Sequence, residues 1–280
     1  MKKIIAAFDG LRFSESTKSY AVLLAKQSSA HLVGVFLDDP GHTSYRIYDL
    51  ALEKGGLIGS AGKKWDKKDS KTKAIAVKNF ELACQKEGLT YTIHHDRRVP
   101  IRELLLESLY ADLLVIDSRE TFTNYQEKVP TPLIRDLLPH VQCPVLLAPH
   151  LFKPVTKLFL LYDGEPSSVH AIKMFSYVLP SLKQHPTEVI TVNDPKLSLH
   201  LPENRLMKEF MKRHFPKATF TVLKGIAEPE IVDYLKKQKE LPLVILGAYQ
   251  RGMVSRWFRA SMADTLMKDL KLPLFIAHNK

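Results

Sequence analysis

KKIIAAFDG at Lys2–Gly10 returns as TKLFLLYDG at Thr156–Gly164. Each is a short apolar run that ends in Asp-Gly and leads into a helical pattern. Two more pairs follow in the same order. Ala111–Ser118 reads ADLLVIDS and Leu241–Ala248 reads LPLVILGA; Cys143–Pro149 reads CPVLLAP and Leu272–His278 reads LPLFIAH. Three landmarks in one order mark a duplication. Their period far exceeds the ~20–50 residues of a solenoid repeat, so the chain reads as two copies of one domain. The copies are 1–150 and 155–280, joined near Leu151–Val155.

Outward from these landmarks, each copy alternates strand and helix. Strands are expected near 2–9, 31–38, 90–96, 112–117 and 143–149, then 156–163, 187–193, 218–224, 242–247 and 272–278. Helical patterns fall at 14–28, 72–87, 100–110 and 131–140, then 166–183, 200–214, 228–239 and 259–270. The strands are continuous apolar runs, as when both faces of a sheet are covered. Right-handed strand–helix–strand crossovers then give parallel sheets. The expected class is α/β, with two doubly wound domains, each a five-stranded parallel sheet with helices on both faces. The copies differ after their second strands. The first carries the long segment Pro40–Ser70, with a short helix expected at Tyr45–Leu52, where the second needs only Pro195–His200. The lysine run from Lys63 to Lys73, interleaved with Asp66 and Asp69, reads as a solvated loop.

Composition sets the limits. Of 280 residues, 45% are hydrophobic and 25% charged, which suits globular domains and excludes disorder. Cys84 and Cys143 form no metal-ligand spacing and no disulfide framework, so a reducing cytoplasm is expected. The N-terminal apolar run ends at Phe8-Asp9, too short for a signal segment, and no stretch approaches the ~20 apolar residues of a membrane span. The formal net charge of +11 invites an anionic partner. It divides unevenly. Residues 1–150 hold 21 Lys+Arg against 18 Asp+Glu, and residues 151–280 hold 20 against 12.

In a doubly wound sheet, ligands lie beyond the carboxyl ends of the strands where strand order reverses. Asp9 and Asp163 end the first strand of each copy and are expected there. Either can accept hydrogen bonds from a ribose hydroxyl or an adenine amino group. The structural alternative is a helix cap, for which Ser14 and Ser167 are better placed. Gly247–Asp264, GAYQRGMVSRWFRASMAD, follows the fourth strand of the second copy. Gly247 and Gly252 allow close approach of backbone to an anion. Arg251, Arg256 and Arg259 suit phosphate, and Ala260-Ser261 opens the last helix, whose backbone N–H groups can receive one. The counterpart in the first copy, Asp117–Pro132, has no glycine and carries Glu120 and Glu127, which repel phosphate.

Other groupings carry less. Gly59–Lys64 has leucine where a P-loop needs its first glycine and Lys64 where it needs Ser or Thr. His94 and His95 are adjacent on a strand and face opposite ways. No G-x-S-x-G elbow occurs, and nothing pairs a nucleophile with a base. The lysine run has only Trp65 as an aromatic platform, so nucleic acid is not expected.

The quoted landmarks make the chain resemble a tandem universal stress protein over nearly its whole length. In nucleotide-binding members of that family the fourth strand is followed by Gly-x-x-Gly, nine residues, then Gly-Ser/Thr. The second copy keeps Gly247 and Ser261, with Gln250 and Ala260 at the other glycine positions and Gly252 two places on; the first copy has Asp117 at the first glycine. The resemblance implies a Rossmann-like fold of the adenine nucleotide alpha hydrolase type. It also implies an ATP or other adenine nucleotide held in the second copy by Asp163, Gly164, Gly247, Gly252, Arg256, Arg259 and Ser261, and less by Asp9. No metal and no catalysis are expected. The two copies are expected to pair through their final strands as an internal pseudo-dimer, with further homo-oligomerisation open. The alternative expectation is a member that binds no ATP and acts through another small ligand or a protein partner.

Overall fold

A computed structural model of the chain describes residues 1–37, 59–96, 99–123, 127–194, 200–238, 242–247 and 260–277. The first half runs β1 (Lys3–Asp9), α1 (Glu15–Ser28), β2 (His31–Leu37), α2 (Gly59–Lys86), β3 (Tyr91–Asp96), α3 (Pro100–Ser108), β4 (Leu113–Asp117), α4 (Pro132–Leu137) and β5 (Val145–Ala148). The second runs β6 (Lys157–Leu161), α5 (Pro166–Val178), a 3₁₀ turn (Pro180–Gln184), β7 (Thr187–Asn193), α6 (Asn204–His214), β8 (Thr219–Lys224), α7 (Ala227–Lys236), β9 (Pro242–Gly247), α8 (Ala260–Thr265) and β10 (Leu274–Ala277). A π-helical turn, Leu266–Leu270, carries α8 onward.

The strands form one ten-stranded sheet in the order β3-β2-β1-β4-β5-β10-β9-β6-β7-β8. Read outward from the middle, both halves have the same order, so the duplication seen in sequence is a duplication of topology. Every pairing is parallel except one. Β5 and β10 run antiparallel, with Leu274 opposite Leu147 and Ile276 opposite Val145. The expectation of parallel five-stranded halves with helices on both faces therefore holds, and the two sheets are fused at their final strands.

The sheet separates two apolar layers, each continuous across the seam. One packs Tyr20 of α1, Phe80 of α2, Phe175 of α5 and Met207 of α6 against alternate strand residues, including Leu146 and Phe275. The other packs Leu104 of α3, Ile134 of α4, Ile231 of α7 and Met262 of α8 against residues such as Leu147 and Leu274. Side chains alternate across a strand, so Leu146 and Leu147 feed different layers. The Tyr20 hydroxyl donates to the carbonyl of Lys153 at 2.8 Å, which ties α1 to the linker.

Local chemistry accounts for most helix ends. The Ser14 side chain caps α1 by accepting from the amide of Thr17, and Thr131 caps α4 by accepting from the amide of Ile134. Proline opens α3, α4 and α5, where its missing N–H costs nothing. One helix departs from the reading. The helix expected over 72–87 begins at Gly59, so the lysine-rich stretch read as a loop is helical backbone. Lysine is a good helix former, and no proline interrupts the segment. Ala76, Phe80 and Cys84, four residues apart, bury one stripe of it. Residues 38–58, including the helix expected at Tyr45–Leu52, lie outside the described residues.

Candidate functional site

Strand order reverses between β1 and β4 in the first half and between β6 and β9 in the second. The crevices at these points are built from the same sequence positions but filled differently.

In the first crevice, Asp9 ends β1 and is 4% exposed. Its Oδ1 accepts the amide of Leu11 at 2.8 Å, and its Oδ2 accepts Arg12 Nε at 3.3 Å. The Arg12 guanidinium continues across the crevice, donating to Thr121 Oγ1 at 2.6 Å and to the carbonyl of Thr123. Asp117 ends β4. Its Oδ2 accepts the Ser14 hydroxyl at 2.8 Å, and its Oδ1 accepts the Arg119 amide at 2.9 Å. Glu120 is buried beside them. Its Oε1 accepts the amides of Thr121 and Phe122, while the Thr131 hydroxyl donates to its carbonyl at 2.6 Å. Burial first, then the charges of Asp9 and Asp117, push the Glu120 carboxyl up to about 7 against the pull of those two amides. An arginine and three carboxylates thus fill the first crevice. Ser14 serves this network and α1 together. Ser14→Ala is expected to cost about 1–2 kcal/mol from the lost cap and the lost carboxylate bond, read as a lower urea midpoint with unchanged m-value.

In the second crevice, Asp163 follows β6 and is 3% exposed. Its Oδ1 accepts the amide of Glu165 at 3.0 Å, the same local turn that Asp9 makes with Leu11. Gly164 has φ +88, and a Cβ there would stand 2.7 Å from Cβ of Pro202. Both facts demand glycine. Residues 200–203 lie over this end of the sheet. The Tyr162 hydroxyl donates to the Pro202 carbonyl at 3.1 Å, and Asn193 Nδ2 donates to the His200 carbonyl at 2.9 Å. Burial, with the nearby charges of Glu203 and Asp163, pushes the Tyr162 hydroxyl up to about 12, so it remains a donor. Helix α5 starts at Pro166 after Glu165, which makes no side-chain cap. Ser167, read from sequence as a cap, is instead inside the first turn.

Gly247 ends β9 against that first turn. A Cβ on it would meet the carbonyl carbon and oxygen of Ser167 at 2.3 Å and the amide of Ser168 at 2.8 Å. Its bare face is therefore filled by the backbone of α5. Of the remaining residues singled out in sequence, Ser261 is the second residue of α8. Arg251, Gly252, Arg256 and Arg259 lie outside the described residues. Gly59–Lys64, the weak P-loop likeness, is helical. His94 Nδ1 bonds Glu107 Oε1 between β3 and α3, and Lys3 holds the other oxygen of Glu107 at 3.1 Å, so this histidine serves a structural bridge.

Arg12 is not singled out by the sequence reading, whereas Glu120 is, and both carry a signal when the copies are compared. Superposing the Asp-Gly landmarks puts Pro166 opposite Arg12, and superposing β4 on β9 puts Gln250 opposite Glu120. A cation and an acid are thus present in one copy and absent from the other, and in the structure Arg12 bonds Asp9 and Thr121 beside Glu120.

No protein-family model matches the chain, and no curated protein does. Solved structures do. A universal stress protein from Archaeoglobus fulgidus DSM 4304 is similar over 99% of this chain and 98% of its own, with TM-score 0.68 and 12% identity. A protein from Pseudomonas aeruginosa put forward as a universal stress protein gives TM-score 0.60 at 14% identity, over 99% of this chain and 92% of its own. A functionally unknown protein from Pseudomonas aeruginosa PAO1 gives 0.59 at 14%, with the same coverage. The fold is thus the Rossmann-like fold of universal stress proteins in its tandem, two-half form. No described helix is long and apolar enough to cross a membrane.

Proposed function

We propose that the chain is a tandem universal stress protein that works by binding and not by catalysis, with an adenine nucleotide in the second half. The observation that carries this reading is the contrast between the crevices. The first is filled by Arg12 bound to Asp9 and Thr121 beside buried Glu120. The second has Pro166 in place of the arginine, a buried carboxylate at Asp163 and an α5 N-terminus without a side-chain cap. A helix start and a carboxylate at a sheet switch point suit the phosphate and the ribose or base of a nucleotide. Gly252, Arg256, Arg259 and Ser261 would supply the phosphate contacts. The first half then serves as the structural partner that completes the sheet.

Calorimetric titration with ATP tests this. Millimolar ATP is expected to give binding heat that Asp163→Ala and Ser261→Ala each weaken about 10-fold and Asp9→Ala leaves unchanged. No heat at millimolar ATP, together with no nucleotide released on denaturing fresh protein, overturns the reading. Equal loss in Asp9→Ala would move the site to the first half.

One observation favours a second reading, in which no ATP binds and the crevice takes another small ligand or a protein partner. The face of Gly247 is closed by Ser167 and Ser168, so this glycine is explained by packing alone.

A further inference from the structure

A cleft of about 1080 Å³ lies between the halves, next to the end of β4. Its walls are the ends of β4 and β5, the turn into α4, and the last turns of the helix before β10. Among the described residues six cations line it: Arg119, Lys128, Arg135, Lys153, Lys268 and Lys271. Among the described residues the sole lining carboxylate is Asp264, already bridged to Arg135 at 3.4 Å. Arg119 leans on Asp117 at 3.4 Å and donates to His150 Nδ1. Among the described residues, no carboxylate pairs with Lys128, Lys153, Lys268 or Lys271.

Beneath the cationic rim the surface is apolar. Val129, Pro149, Met267 and Leu272 line it, and Leu151 stands 64% exposed at its mouth. Like charges gathered around a concave apolar surface repel one another and focus a positive potential into it. An apolar surface with a few charged groups at a junction between domains is the usual form of a small-molecule site. A purely solvated basic face would not bring an apolar floor with it, and a protein-packing face would not carry four uncompensated lysines.

We propose that this cleft between the halves is a binding site for a small organic anion with an apolar body, such as an aromatic or acyl phosphate, sulfonate or carboxylate. The rim lysines hold the anionic group and the floor takes the apolar body. Both halves and the linker contribute, Lys128 from the first half, Lys153 from the linker, and Lys268 and Lys271 from the second half. The site therefore exists only because β5 and β10 join the two sheets. It is separate from the crevice at Asp163 and does not depend on the nucleotide reading.

The probe is 8-anilinonaphthalene-1-sulfonate, an apolar aromatic body with one sulfonate, titrated by fluorescence into the full chain. N-phenyl-1-naphthylamine supplies a similar body without charge. One sulfonate probe is expected per chain. The double variant Lys268→Glu/Lys271→Glu is expected to weaken it at least 10-fold with an unchanged melting temperature. Lys208→Glu/Lys212→Glu, exposed on α6, and Asp163→Ala are expected to leave it unchanged. The neutral probe is expected to bind at least 10-fold more weakly and equally to all variants. Equal sulfonate affinity in the Lys268/Lys271 variant overturns the site. So does neutral-probe affinity matching the sulfonate, or tripolyphosphate binding as tightly, since these remove the need for the rim or the floor. ATP heat lost in the Lys268/Lys271 variant and kept in Asp163→Ala would place the nucleotide in this cleft. That result would sustain the cleft and refute the crevice.

Discussion

Gly247→Ala destabilises the second half by about 3 kcal/mol or more, at the upper end of the range for overpacking. The added Cβ would lie 2.3 Å from the carbonyl of Ser167 and 2.8 Å from the amide of Ser168. These are backbone atoms in the first turn of α5 and cannot swing aside as a side-chain tip would. The strand cannot retreat either, because β9 is held between β6 and β10 and is buried throughout. The helix must lift, and Ala171, Ile172 and Phe175 lift with it from the layer they pack in. Thermal unfolding is expected to fall by roughly 6–12 °C, at about 2–4 °C per kcal/mol for a chain of this order of size. Amide exchange is expected to quicken first along α5. A melting temperature within 2 °C of wild type would show that α5 yields freely and that the glycine is not there for packing. The fold tolerates a side chain at the matching place in the first half. There Asp117 ends β4, and α1 approaches through the Ser14 hydroxyl instead of through bare backbone.

Glu120→Gln flattens the dependence of stability on pH. The carboxyl is 6% exposed and its pKa is raised from 4.5 to about 7, first by burial and then by Asp9 and Asp117. The sign follows from proton linkage. Between about pH 4.5 and 7 the folded chain holds a proton that the unfolded chain has released, so raising the pH through this window favours unfolding. Below it both states are protonated and the group contributes nothing. Above it the full cost of a buried charge is present, on the order of 3 kcal/mol. Glutamine keeps an oxygen to accept the Thr121 and Phe122 amides and never ionises. Relative to wild type, the variant is expected to be near neutral at pH 5 and more stable by that amount at pH 8, measured by urea unfolding at both. A constant difference across this range would sink the assignment. The groups that face Glu120 make the test sharp. Arg12 is engaged with Asp9 and Thr121, so it does not cancel the charge when Glu120 ionises.

Much of the architecture was legible because its signals are short-range. The Asp-Gly landmarks, the continuous apolar strands and the Ser14 cap each act within a few positions, and all are where the structure uses them. Ten strands and the duplicated order came from such signals. The helix at Gly59–Lys73 was missed because a lysine-rich segment can be solvated loop or solvated helix with little difference in burial. The role of Ser167 was misread for a related reason. Which residue caps a helix depends on where the helix starts, and α5 starts at Pro166, which places Ser167 inside its first turn. Of the candidate site, the places of Asp9 and Asp163 at the carboxyl ends of the first strand of each half were legible from position alone.

What could not be read from residue order was which groups meet. Arg12 and Thr121 are 109 positions apart and touch only because β1 and β4 are neighbours. That contact fills the first crevice and makes the two halves unequal. The packing reason for Gly247 appears only when α5 is laid on it. The fusion of two sheets into one rests on backbone hydrogen bonds between β5 and β10, which any apolar strands could form and which leave little trace in side-chain pattern. The cationic cleft follows from that seam. Its lysines are unremarked surface charges in their own segments and become one field only when tertiary structure sets them around a shared apolar floor. Periodicity, turns and caps are properties of a window of residues; charge balance and close approach are properties of the assembled volume.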